Sequence, residues 1–148
     1  MKLDFAITTK SPEETYETGM EIAKHLGTGS VIALYGDLGS GKTQLVKGIC
    51  KGLGADQTVN SPTFIIVNEY TAADFPKIYH FDLYRLKTQD EILQMGFAEY
   101  INTGNITLIE WPEHVEDILP KDTIKIHLAH TSANENERWI KVEAAGVR

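Results

Sequence analysis

The sequence predicts an α/β domain, a sandwich with a mixed, mainly parallel central sheet flanked by helices. Three observations point there. Helical and strand-like periods alternate for most of the length, with strand-rich stretches in the middle and at the end. A glycine loop, GDLGSGKT, lies between a short buried-type strand and an amphipathic helix. No repeat, low-complexity tract or linker interrupts the 148 residues, so a single domain over 1–148 is expected.

The elements follow in order. Residues 3–8 read as a short strand. Ser11-Pro12-Glu13-Glu14 then opens a helix: serine caps, proline suits the first helical position, and Glu14 completes a capping box. Tyr16, Met20, Ala23 and Leu26 continue it at roughly helical spacing, and Gly27 is the expected stop. Residues 31–35, VIALY, form a buried-type strand running into the glycine loop. Residues 42–52 are the next helix, with Leu45, Val46, Ile49 and Cys50 on one face. Residues 64–70 and 77–83 read as two strands of a hairpin, joined by a polar loop that contains a proline. Thr88-Gln89-Asp90-Glu91 is a second capping box and starts a helix ending near Gly96. Residues 106–109 are another buried-type strand, and 124–128 and 139–142 are closing strands.

Bulk composition excludes several classes. Hydrophobic content of 42% and charged content of 24% suit a globular domain. Apolar runs stop at four or five residues, far short of a membrane span, so no membrane association is expected. The opening MKLDFAITTK has no apolar stretch of secretory length. A single cysteine, Cys50, permits no internal disulfide, and a cytoplasmic location is expected. The net charge of −7 makes the chain a poor stand-alone nucleic-acid binder, because such binding relies on neutralising phosphates. The five histidines show no metal spacing, and with one cysteine no zinc site is suggested.

GDLGSGKT fits the phosphate-loop pattern G-x-x-x-x-G-K-[ST] at Gly36, Gly41, Lys42 and Thr43. Glycines are needed because backbone N–H groups must turn inward around phosphates with no Cβ in the way. Lys42 would reach the β- and γ-phosphates, Thr43 would ligate Mg²⁺, and the helix start adds favourable partial charge. Nucleotide contacts are expected from Asp37, Leu38, Gly39, Ser40, Gly41, Lys42, Thr43 and Gln44.

Hydrolysis also needs a carboxylate for Mg²⁺ and the attacking water, commonly at the end of another buried strand. Glu110 ends NITLIE, and Asp82 lies in KIYHFDLYR, where Ile78, His80, Asp82 and Tyr84 share one face by the two-residue period. Spacing alone leaves open whether either points into a site or into solvent. Ser61 and Thr63, in SPTF, could sense the γ-phosphate as a switch segment or simply form a rigid turn. His80 reads as a hydrogen-bonded structural residue. Trp111 follows Glu110 and by period two points to the opposite face, where core packing is the simpler expectation. Arg85, just beyond Asp82, is the cation best placed to meet developing phosphate charge, although a surface salt bridge accounts for it equally simply.

Guanine-binding signatures D-x-x-G and N-K-x-D are absent from the sequence. Small-molecule kinases need cationic clamps on two phosphates and usually an arginine-rich lid. Only Arg85, Arg138 and Arg148 are available. An ATPase switch is therefore favoured over a nucleoside or metabolite kinase, with a non-hydrolysing nucleotide sensor as a further alternative.

GDLGSGKT, SPTF, YHFDLYRL, MGFAEY and LIEWPE occur in this order and spacing in one bacterial family, which the chain resembles from about residue 11 to the final strands. It is the TsaE (YjeE) ATPase family of tRNA threonylcarbamoyladenosine biosynthesis. YHFDLYRL and LIEWPE carry the resemblance more specifically than the phosphate loop, and none of these blocks departs from the family pattern. The resemblance implies a P-loop NTPase-like sandwich with a mixed sheet, Mg-ATP hydrolysis and an accessory role in modifying the adenosine beside the anticodon of ANN-decoding tRNAs. The transfer itself would belong to the partners TsaD and TsaB, so tRNA would be met only through the complex. It further implies that Lys42 and Thr43 hold phosphate and Mg²⁺, that Glu110 is the Mg²⁺ carboxylate, and that Asp82 is the other essential acid. Trp111 matches a functionally important position, and Arg138 falls where the family has a basic residue near the nucleotide.

Overall fold

In the computed structural model, residues 4–37, 39–55, 66–73, 77–101, 103–131 and 134–144 are described. Seven strands form one sheet in the order β1-β7-β6-β2-β5-β4-β3. The strands are β1 (Phe5–Thr9), β2 (Val31–Tyr35), β3 (Val67–Tyr70), β4 (Ile78–Asp82), β5 (Ile106–Glu110), β6 (Ile124–His130) and β7 (Arg138–Ala144). β2 lies at the centre, parallel to β5 on one side and β6 on the other, and β4 runs parallel to β5. β3 and β7 run against their neighbours, and β1 runs against β7. Five strands therefore point one way and two the other, the mixed, mainly parallel sheet that the periodicity implied. The expected hairpin is the β3–β4 pair.

Period two along these strands sorts their side chains into two cores. Ile32 and Leu34 of β2, Ile106 and Leu108 of β5 and Ile126 of β6 face one side, against Ile22, Leu45 and Ile49 of the helices α1 (Pro12–Ala23) and α2 (Lys42–Gly52). Val31, Phe81 and Ile109 face the other, against Ile92 of α3 (Gln89–Gln94), Phe97 of α4 (Phe97–Ile101) and Val115 of the 3-10 helix Glu113–Ile118. All five residues of β5 are buried, as a strand covered on both faces should be. α1 and α2 meet backbone to backbone: a Cβ on Gly48 would lie 2.0 Å from the Tyr16 carbonyl oxygen. No side chain fits there.

Local chemistry accounts for the helix ends. Ser11 caps α1 by accepting the Glu14 N–H at 3.1 Å. Glu14 does not close the expected reciprocal box, because its Oε1 accepts from the Lys10 N–H at 2.7 Å instead. Thr88 and Glu91 do form one at the start of α3. α1 ends at Ala23, and a run of i→i−3 bonds from Lys24 to Leu26 carries the chain on toward the expected stop at Gly27. α4 and the 3-10 helix are additions to the sequence reading. Each is one or two turns long, too short for helical periodicity to reveal. Among the described residues, no helix is long and apolar enough to cross a membrane.

Candidate functional site

The C-terminal ends of β2, β4 and β5 converge on a cavity of about 420 Å³. That is the usual location of ligands on parallel α/β sheets and a usual ligand-site volume. Its walls include Gly39, Gly41, Lys42, Thr43 and Gln44 from the glycine loop, Asp82 and Glu110 from β4 and β5, and Trp111 and Arg138.

The loop is built from backbone. Gly36, Gly39 and Gly41 all hold positive φ, at 155°, 78° and 102°. A Cβ on Gly36 would lie 2.6 Å from Ser40 Oγ and 2.7 Å from the Leu128 carbonyl oxygen, so only glycine keeps the loop this tight. Gly41 is the N-cap of α2 and makes no side-chain cap. Two donors lack acceptors: the hydroxyl of Ser40, which is buried, and the Nε–H of Arg138. The rest of the Arg138 guanidinium donates to the carbonyl oxygens of Glu135, Glu137 and Gly39, the last at 3.1 Å from Nη2. Buried donors without partners are costly. A concave loop with such donors fits a ligand rich in acceptors, as a polyphosphate is.

Lys42 is buried, and its Nζ donates to the Gly36 carbonyl oxygen at 2.6 Å. The same ammonium sits over the Trp111 ring, 3.7 Å from its centroid. Burial pushes the Lys42 pKa down, and Glu110, Asp82, Glu113 and Asp37 push back. Trp111 packs against the second core, the face that period two assigned it, and it also lines the cavity. β5 ends at Glu110, and Trp111 takes a φ of +59°, with its indole against Lys42 and Tyr84. A left-handed non-glycine residue costs on the order of 1–3 kcal/mol, so neighbouring contacts must over-determine it.

The two carboxylates meet because β4 and β5 pair in parallel with Asp82 opposite Glu110. Adjacent strands lie about 4.8 Å apart, so the two acids are neighbours. Glu110 is buried, and its Oε2 is 2.6 Å from His80 Nε2. His80 is itself fully buried, with its other ring nitrogen 3.2 Å from the Tyr70 hydroxyl. It is hydrogen-bonded, as its place in the strand suggested, and its partner is one of the candidate acids. Asp82 is half-buried and accepts the Tyr84 N–H at 3.0 Å. Burial raises its pKa, helped by the Glu110 charge and opposed by the Tyr84 N–H, His80 and Lys42.

Most of the other expected residues are brought to the same place. Thr43, Gln44, Gly39 and Gly41 line the cavity. The carboxylate of Asp37 is exposed, while its carbonyl oxygen accepts the Ser40 N–H. Arg85 is exposed and does not line the cavity. Leu38, Ser61 and Thr63 lie outside the described residues. Pro12 and Thr15 at the start of α1, and Asn136 before β7, also form the walls. Nothing in their local sequence signals it, because sheet order alone brings α1 and the β6–β7 turn beside the loop. Among the described residues, no three or more His, Cys, Asp or Glu side chains are placed to hold a metal ion. A cation in this cavity would have Thr43, Asp82 or Glu110 together with ligand oxygens. That donor set suits a hard ion such as Mg²⁺, which binds few protein side chains beside phosphates.

Comparison with known proteins agrees with this geometry. The family model described as "Threonylcarbamoyl adenosine biosynthesis protein TsaE" matches residues 9–140. The tRNA threonylcarbamoyladenosine biosynthesis protein TsaE of Bacillus subtilis is 39% identical over 140 residues, covering 95% of this chain and 85% of that protein. The Haemophilus influenzae protein of the same name is 46% identical over 110 residues, covering 73% of this chain and 69% of its own length. The crystal structure of Bacillus subtilis YdiB superposes with a TM-score of 0.80 at 33% identity, over 99% of this chain and 88% of that one. On this match of sequence and fold, the chain belongs to the TsaE family.

Proposed function

We propose that the chain is a Mg²⁺-dependent ATPase. It acts as an accessory subunit in the threonylcarbamoyladenosine modification of ANN-decoding tRNAs, working with TsaD and TsaB. The observation that carries the hydrolase reading is the pairing of the glycine loop and Arg138 with two acids across one cavity. Gly39, Gly41, Lys42 and Arg138, whose Nε has no acceptor, lie on one side, and the half-buried Asp82 and the buried Glu110 on the other. The tRNA pathway rests on family membership and on the names of the relatives.

In this reading the phosphates take the donors of the glycine loop, and Lys42 leaves the Gly36 carbonyl for phosphate oxygens. Thr43 and Glu110 hold the cation, which when bound withdraws charge from the phosphoryl oxygens. Asp82 orients the attacking water. Trp111 keeps Lys42 over the cavity and excludes water from one side of it. Among the described residues Arg138 is the only arginine that lines the cavity, and Arg85 is exposed, so charge stabilisation by the chain alone should be incomplete and hydrolysis slow. Docking on TsaB and TsaD would complete it. With a net charge of −7, the chain would meet tRNA only through that complex.

Measuring ATP hydrolysis with and without the TsaB–TsaD pair tests the coupling. The rate should rise in the complex, and an unchanged rate with no complex formed would remove it. Following radiolabelled γ-phosphate in the same assay separates hydrolysis, which releases free phosphate, from kinase-type transfer to a small acceptor.

A further inference from the structure

Glu110 is not a free carboxylate at the cavity wall. One of its oxygens, Oε2, is engaged by His80 at 2.6 Å. His80 has no exposed surface, and its second nitrogen is 3.2 Å from the Tyr70 hydroxyl. Tyr70 in turn receives the Asn68 amide at 3.4 Å. The four groups run from β3 across β4 to the end of β5, and Tyr70 belongs to the first core. An ionised carboxylate only accepts, so the proton of that bond sits on His80 Nε2. Nδ1 is then free to accept from the Tyr70 hydroxyl, and every link of the chain has a donor and an acceptor. A histidine used merely to fill a core needs one such bond, and this one spends both ring nitrogens to fix a cavity-lining acid.

We propose that His80 is a positioning residue that clamps Glu110 Oε2, so that Glu110 serves the cavity through Oε1 alone, with Tyr70 holding the imidazole tautomer. The proposal rests on the hydrolase reading for its catalytic consequence, and on the buried geometry for the clamp. A carboxylate held by one oxygen binds a cation or a water monodentately and cannot rotate to a bidentate grip. This is the arrangement in which outer partners typically change metal affinity or activity about 10- to 100-fold.

Three measurements on the full chain test it. In the ligand-free protein, ¹⁵N NMR of the histidine rings should place the His80 proton on Nε2. A neutral ring protonated on Nδ1 overturns the clamp. Mn²⁺ affinity, read by electron paramagnetic resonance with a non-hydrolysable ATP analogue, should fall about tenfold or more in His80→Ala. Metal-free binding of the same analogue should stay within about twofold, because His80 does not line the cavity. His80→Gln, whose side-chain amide can still donate to Glu110, should recover most of the Mn²⁺ affinity and of kcat, and Tyr70→Phe should lose only a few-fold. Wild-type Mn²⁺ affinity in His80→Ala, or a His80→Gln variant no better than His80→Ala, overturns the proposal. Should the wild-type chain hydrolyse no ATP even with its partners, the hydrolase reading falls, and the NMR and Mn²⁺ measurements still decide the role of His80.

Discussion

The glycine loop after β2 and the acids at the ends of β4 and β5 face the same cavity, yet they are finished to different degrees. The loop, with Arg138 of β7 beside it, keeps donors open: Ser40 Oγ and Arg138 Nε have no acceptor, and Lys42 bonds a carbonyl of its own loop. The acids are already engaged from within the protein, Glu110 by His80 and Asp82 by the Tyr84 N–H. In the proposed ATPase reading, the difference teaches how a phosphate site divides its energetics. Donor groups tolerate waiting because the ligand supplies all their acceptors at once, and that surplus appears as affinity. Carboxylates so close together cannot wait unpartnered, because burial and mutual repulsion would drive at least one of them neutral. Internal donors therefore hold them in place before the ligand arrives.

The largest expected effect comes from removing the ammonium group at the end of the loop. Lys42→Ala should lower ATP hydrolysis by about 100- to 1000-fold, the range for loss of one preorganised transition-state donor. Steady-state phosphate release measures it, and a variant within about threefold of wild type would break the contrast between open loop and engaged acids.

Ser40→Ala sharpens the comparison at intermediate magnitude. ATP affinity should fall about tenfold, as for a hydrogen bond to a charged group. The ligand-free chain should become more stable by about 1 kcal/mol, because a buried hydroxyl without a partner has been deleted. Isothermal titration and urea unfolding of the same protein read the two signs. Falling stability would mean that the hydroxyl has a partner after all.

The smallest effect concerns Asp82. Its folded pKa is raised, chiefly by burial, above its ordinary value of 3.8. A raised carboxyl contributes stability that is complete below the unfolded pKa and is lost as pH rises through the folded one. Asp82→Asn should therefore unfold at higher urea than wild type at neutral pH, with the gap closing below about pH 4. Hydrolysis should fall in the same variant. If the gap in urea midpoint is as wide at pH 3 as at pH 7, the raised pKa of Asp82 is not its cause.

Much of the site is legible in the amino-acid sequence, and the exceptions share a cause. β2, the glycine loop and α2 are contiguous in the chain, and GDLGSGKT alone predicts the strand, tight glycine turn and helix found there. Thr88 and Glu91 announce the start of α3 for the same reason, since a capping box spans only four residues. Asp82 and Glu110 are visible as strand-end acids, but their adjacency depends on β4 choosing β5 as a parallel neighbour. Period two places Trp111 against the second core, where it packs, but does not show its contact with Lys42, which lies 69 residues earlier in the chain. His80 reads as structural, and no local pattern names Glu110, thirty residues on, as its partner.

By itself the sequence determined the α/β class, the backbone cradle of glycines and the kinds of residue able to serve a phosphate. All of these follow from steric and hydrogen-bonding rules that act over a few neighbouring positions. Only the tertiary structure decided that Arg138 bonds to the Gly39 carbonyl across 99 positions of sequence, that Lys42 lies under Trp111, and that His80 holds Glu110. Those contacts depend on strand order and register, which arise when two apolar faces of one sheet are buried together, and no short stretch of chain contains that information.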